Sequence, residues 1–230
     1  MSFNLHNGVY NFTTSCSDGS LSKKELLGLL KCEKEYLKMK YGIDTRKMIV
    51  PNQDLNNKGI LLDITNLAEE ALFDNSINLL DYNIPCDAVM INRFAPSIAL
   101  AYPTSDNPVI TIESDYAIAL ASMNIDKLND NLLEDIVKKF LRVCNLSIDK
   151  IKIHVGPCCS YESNNIKDIV SSSLDRIGIN NVEYDNRDTV TNDDLFSEIG
   201  NKKGNHLTGI YYKPDEKTLK LLRHHSGGFK

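Results

Sequence analysis

Strand-like and helix-like segments are interleaved from one end of this chain to the other, with no internal repeat and no low-complexity linker, and that pattern most restricts the fold. With 230 residues, 42% of them apolar, the chain is long enough to bury one sizeable core. The reading is a single mixed α+β domain over residues 1–213 followed by a C-terminal tail over 214–230. Apolar, partly β-branched runs mark strands at Ser97 to Tyr102, Val109 to Glu113, Tyr116 to Ser122, Ile151 to Val155 and Leu207 to Tyr212. Pro103 and Pro108 bracket a turn between two of them. Ser22-Lys-Lys-Glu25 has the form of a capping box, and Leu26, Leu27, Leu30 and Leu37 suit one helix running to about Gly42. A second helix is expected over about Asn131 to Val143, with an apolar face that includes Leu133, Ile136, Val137 and Phe140. A third is expected over about Ile166 to Ile177, ended by Gly178 in a left-handed conformation.

Composition removes several function classes. No apolar run approaches the roughly 18 to 20 residues of a membrane span, and the first residues lack a basic segment followed by an apolar one, so a cytoplasmic protein with no membrane partner is expected. The six cysteines are spread over a core-sized chain and read as free thiols. A net charge of −5 disfavours nucleic acid, which is bound through clustered Lys and Arg, and the pairs Lys23/Lys24 and Lys202/Lys203 read as solvated surface.

Several segments, taken in order, resemble the laccase-domain family, also known as multicopper polyphenol oxidases or purine nucleoside phosphorylase-type proteins. Gly8-Val-Tyr-Asn-Phe-Thr-Thr14 is similar to its opening strand, and Cys86-Asp-Ala-Val-Met-Ile91 to its Ala-Asp-Ala-Leu-Val-Thr stretch. Ser105-Asp-Asn-Pro108 stands where the family has Ala-Asp-Cys-x-Pro, and Gly156-Pro157 with Tyr161-Glu162 resembles its Gly-Pro…Tyr-Glu motif. Leu195-Phe-Ser197 and Leu207-Thr-Gly-Ile210 resemble its closing Phe-Ser-Tyr-Arg-Arg and last strand, so the resemblance runs from about Gly8 to Tyr212. It implies a four-layer α/β/β/α fold. It also implies zinc-dependent chemistry on purine nucleosides, by phosphorolysis or deamination, with the metal held by a His, a Cys and a second His and one position left open for water or phosphate.

This chain departs from that pattern at each implied ligand. Asn52, in Val50-Pro-Asn-Gln53, stands at the first His; Asn107 at the Cys; and Ala121, in Leu120-Ala-Ser-Met-Asn-Ile-Asp126, at the second His. Two amides and a methyl hold zinc too weakly for catalysis, so neither zinc nor copper is expected as a cofactor. The implied cationic positions read Ser15, Ile125 and Ile199-Gly200, which leaves no phosphate clamp from the family set. Asp87 and Asp106 are retained acids, for which buried hydrogen bonding is a sufficient explanation.

Elsewhere, Ile151, Ile153 and Val155 alternate with Lys152 and His154, which puts His154 on the opposite, more polar face of its strand, toward solvent or a cleft. His154, Cys158 and Cys159 form a His/Cys cluster that an alternative metal or nucleophilic site would use, although the spacing matches no standard zinc pattern. Gly200-Asn-Lys-Lys-Gly204 lacks the ending of a phosphate loop and reads as a turn, and His224-His225 as a frayed terminus. Three functional expectations follow. The first is a catalytically inactive laccase-domain protein whose former cleft takes a small molecule or a partner segment. The second is an enzyme with a remodelled site on nucleoside-like substrates, using Asp106, His154 or the two cysteines. The third is a scaffold subunit that pairs with an active paralogue.

Overall fold

The computed structural model describes residues 3–6, 8–52, 59–92, 98–160 and 165–212. Two mixed sheets face each other. The first runs β1 (Phe3–His6), β2 (Val9–Thr13), β11 (His206–Tyr212), β6 (Ala99–Thr104), β3 (Met48–Ile49), antiparallel except for the β3/β6 pair. The second runs β10 (Val182–Tyr184), β9 (Lys152–Val155), β7 (Val109–Glu113), β8 (Ala117–Ser122), β5 (Ala88–Asn92), β4 (Leu61–Asp63), antiparallel at its centre with a parallel strand at each edge.

Period-two alternation assigns the strand faces. In β7, Ile110 and Ile112 join Phe140 and Val170 in a core beneath the helices, while Val109 joins Leu100, Leu120 and Ile210 between the sheets. The outer helices on that side are α4 (Ile125–Asn129), α5 (Leu132–Cys144) and α6 (Ile166–Arg176). On the other side, α1 (Lys23–Gly28) and α2 (Lys31–Tyr41) give Leu26 and Leu37 to a third core with Phe12, Ala101 and Leu207 of the first sheet. The order is therefore helices, sheet, sheet, helices, the α+β arrangement expected from the resemblance. A further helix, α3 (Thr65–Phe73), contributes Ala68 and Ala71 to the core between the sheets.

Helices α5 and α6 lie where periodicity puts them, and Gly178 has the expected left-handed φ of 78°. The single helix expected from Ser22 to Gly42 is instead two. The Ser22 box is present, but Leu29 and Leu30 adopt extended angles, and the Leu30 amide donates to the Glu33 carboxylate at 2.6 Å, starting α2 afresh. Leu26 and Leu37 are buried as expected, whereas Leu27 and Leu30 are 43% and 66% exposed, so no continuous apolar stripe exists. Gly42 closes α2 with φ 75°. Strand β6 starts at Ala99 and continues through Pro103 to Thr104, leaving the turn to residues 105–108. Strands β1, β3, β4 and β10 and helices α3 and α4 were not expected; the strands span four residues or fewer, α3 nine, and α4 five, started by the Asn124 side chain accepting from the Lys127 amide. The tail 214–230, with His224 and His225, and the Tyr161-Glu162 pair lie outside the described residues.

Candidate functional site

The positions that stand for the metal ligands do not assemble donors. Ala121 on β8 is fully buried in the core beneath the helices, where it presents a methyl group. Asn52 is exposed at an isolated bridge to Pro85, its side-chain amide donating to Asn83 Oδ1. Asn107 is half-buried in the β6–β7 turn, and its carbonyl accepts from Thr104 Oγ1 at 2.6 Å. These groups do not fit zinc, which needs imidazole, thiolate or carboxylate ligands. Among the described residues, no three His, Cys, Asp or Glu side chains are grouped to hold a metal ion.

The retained acids are structural ties. Asp106 accepts from Thr189 Oγ1 (2.7 Å), Ser197 Oγ (2.6 Å) and the amides of Glu198 (2.8 Å) and Ile199 (3.1 Å), which pins the loop before β11 to the β6–β7 turn. Asp87 accepts from Lys127 Nζ at 2.8 Å and the Ile60 amide at 2.9 Å; the acid and lysine side chains are 0% and 3% exposed. Cys158 and Cys159 are buried, and burial above all pushes the Cys158 thiol up to about 12, the reverse of an activated nucleophile. Neither cysteine is among the described residues that line the cleft beside His154. Among the described residues, no cysteine is joined in a disulfide.

His154 does open onto a cleft, of about 600 Å3, between the end of β2, the end of α2 and the β9–β10 edge of the second sheet. It projects from β9 between the sheets, opposite Thr111 of β7 and Glu183 of β10, and is only 4% exposed. Burial lowers its imidazole below the ordinary histidine range, and nearby Asp185 and Glu183 offset part of that. The sheets approach closely here: a Cβ on Gly156 would lie 2.9 Å from Thr208 Cγ2 and 3.1 Å from the Val109 carbonyl oxygen, so any side chain would force its neighbours to shift. Polar contacts replace apolar packing at this end. Thr111 Oγ1 reaches across the sheets to Asn11 Oδ1 at 2.8 Å, and Thr13 bonds Thr208 at 3.1 Å.

Two cations from different elements line the cleft. Arg187 is gripped by Asp185, with Nε at 2.9 and 3.1 Å from its two oxygens, a second contact from Nη2, and its own amide at 3.0 Å. Burial pushes the Asp185 carboxyl up, but the hydrogen bonds and charge of Arg187 outweigh it and hold the group below the usual carboxylate range. Lys40 lies 2.6 Å from Asp18, a buried carboxylate that also takes the Tyr41 hydroxyl at 2.6 Å and the Ser15 amide at 2.8 Å. Burial acts against ionised Asp18, yet these donors bring it down to about 2. Ser15, expected as a vacated cationic position, lines this cleft, whereas Ile125 packs beneath the second sheet and Ile199 is 48% exposed. Lys40, Tyr41, Asp185, Arg187 and Asp194 were not anticipated. Only the two-residue spacing of Asp185 and Arg187 was available as a signal, and it matches no motif of known chemistry.

No family model and no curated protein matches the chain. Solved structures do. The hypothetical protein YfiH of Bacillus licheniformis superposes with a TM-score of 0.69 at 12% identity, over 89% of this chain and 93% of that one. YlmD of Geobacillus stearothermophilus gives 0.70 at 11% identity, over 90% and 92%. NMB0706 of Neisseria meningitidis, a DUF152 protein, gives 0.66 at 15% identity, over 93% and 98%. The two facing mixed sheets, with helices outside each, are thus the fold of the YfiH, YlmD and DUF152 proteins, carried here by a chain of very different sequence.

Proposed function

We propose that this chain is a divergent laccase-domain protein that has given up metal-dependent catalysis and binds a small polar molecule in the cleft between His154, Lys40 and Arg187. The observation that carries the reading is a contrast. The groups at the implied ligand positions are a sealed methyl and two amides, while a separate cleft holds polar side chains fixed by buried partners. Order retained in the fold alongside a donor set unable to grip zinc supports binding rather than turnover.

The test has two arms. Adenosine and inosine, each with phosphate, are incubated with the protein, and no product is expected. A fragment library is then titrated against isotope-labelled protein, and shifts are expected at residues around His154 and Tyr184. Zinc-dependent turnover, or shifts confined to another surface, would contradict the proposal. His154 on the cleft floor favours one alternative, an enzyme with a remodelled site. That alternative requires an activity found by substrate screening to vanish in a folded His154→Gln variant.

A further inference from the structure

We infer that the ligand of this cleft is a small zwitterion that carries both an ammonium and a carboxylate group. The inference rests on the proposed binding role of the cleft and adds the class of ligand.

The argument is one of charge complementarity around a single space. Lys40 and Arg187 come from different elements, and each is tethered by a carboxylate whose side chain is at most 5% exposed, Asp18 at 0% and Asp185 at 5%. Each cation is itself partly open, at 35% and 27% side-chain exposure. The tether uses Nε and Nη2 of Arg187, which leaves further N–H donors on its guanidinium, while the Lys40 ammonium, held by Asp18 beside the Tyr36 and Tyr41 rings, adds positive charge. Donors held this way lose little freedom on meeting an anion, so a carboxylate is accepted at low entropic cost.

Their charge, however, is already balanced by Asp18 and Asp185. The remaining acids of the cleft are Glu183, paired with Lys152 at 3.0 Å, and Asp194, which is exposed and whose carboxylate has no partner among the described residues. A dianion such as phosphate would meet a lining whose net charge is already negative. A simple cation would leave the further donors of Arg187 unused. A molecule with a carboxylate toward Lys40 and Arg187 and an ammonium toward Asp194 satisfies both ends, and about 600 Å3 accommodates an amino acid with its side chain.

The experiment titrates the full chain with the twenty common L-amino acids singly, then with the N-acetyl and carboxamide derivatives of the best binder and with inorganic phosphate, following cleft resonances by nuclear magnetic resonance. The amino acid is expected to bind, with each derivative weaker by about tenfold, the loss of roughly one charge-assisted hydrogen bond. Asp194→Asn, at an exposed position that leaves the fold intact, is expected to weaken the amino acid by about tenfold and leave the N-acetyl derivative unchanged. Arg187→Lys keeps a cation beside Asp185 but removes the fork, and is expected to weaken both. Two results overturn the inference: amino-acid affinity indifferent to Asp194, or binding by phosphate in place of any amino acid. In the latter case, or if other fragments still map to the cleft, the binding role stands and only the ligand class fails. If nothing shifts the cleft residues, the binding role fails with it.

Discussion

At the scale of single residues, buried polar groups set both the stability and its pH dependence. Replacing Asp106 by Ala strands two hydroxyls and two amides in or near the interior and is expected to cost about 3 to 5 kcal/mol in denaturant unfolding. Lys127→Met leaves Asp87 as a buried, unpaired carboxylate, with an expected loss of about 3 to 5 kcal/mol, and a second change of Asp87 to Asn is expected to recover part of it. His206 is fully buried, neither ring nitrogen has a hydrogen-bond partner among the described residues, and burial, helped by the charge of Arg187, lowers it to about 4. Between pH 6.5 and 4 the unfolded chain takes up a proton that the folded chain refuses, so stability is complete above that window and declines as pH falls through it. The loss is about 3 kcal/mol, and His154 adds to it with the same sign. Asp18 and Asp185, whose carboxyls are also lowered by folding, act in the same sense at lower pH: the stability they contribute is present above the ordinary carboxylate range and is lost as pH falls through their folded-state values. Unfolding measured across pH 4 to 7 should therefore flatten in His206→Leu, which is expected to keep neutral-pH stability within about 1.5 kcal/mol; an unchanged slope would remove His206 from the account.

At the scale of elements, the α1–α2 region separates packing from pattern. Leu37→Ala, in the core over the first sheet, is expected to cost about 2 to 5 kcal/mol, whereas Leu30→Ala, two-thirds exposed at the start of α2, is expected to stay within about 0.5 kcal/mol. One helix through both would predict similar losses. Periodicity found the long elements because their faces are sustained: Ile136, Val137 and Phe140 recur at helical spacing, and Ile151, Ile153 and Val155 alternate. It missed β1, β3, β4, β10 and α4, which span five residues or fewer and are held by neighbours rather than by pattern, and it also missed the nine-residue α3, which gives Ala68 and Ala71 to the core between the sheets. The break at Leu29 and Leu30 was hidden because its signal is a single backbone bond to Glu33, placed three residues on within an otherwise helical composition.

At the scale of the whole molecule, the layered fold was legible because ordered segments from Gly8 to Tyr212 resemble one family, and the superpositions on YfiH, YlmD and NMB0706 carry that order into three dimensions. The cleft was not legible. Its residues come from β2, α2, β9, β10 and the loop that follows, five segments that meet only when the sheets stack, and no local spacing encodes the meeting of Lys40 and Arg187 in one cleft. His154 was the exception, since strand alternation alone directed it away from the apolar face. The account as a whole stands on the claim that this fold is kept without a metal centre. The most direct test is elemental analysis of the purified protein after growth and dialysis with added zinc. The account predicts zinc far below one ion per chain, with unfolding unaffected by a chelator; an equimolar, chelator-sensitive zinc ion lost on replacing Asn52 or Asn107 would contradict it.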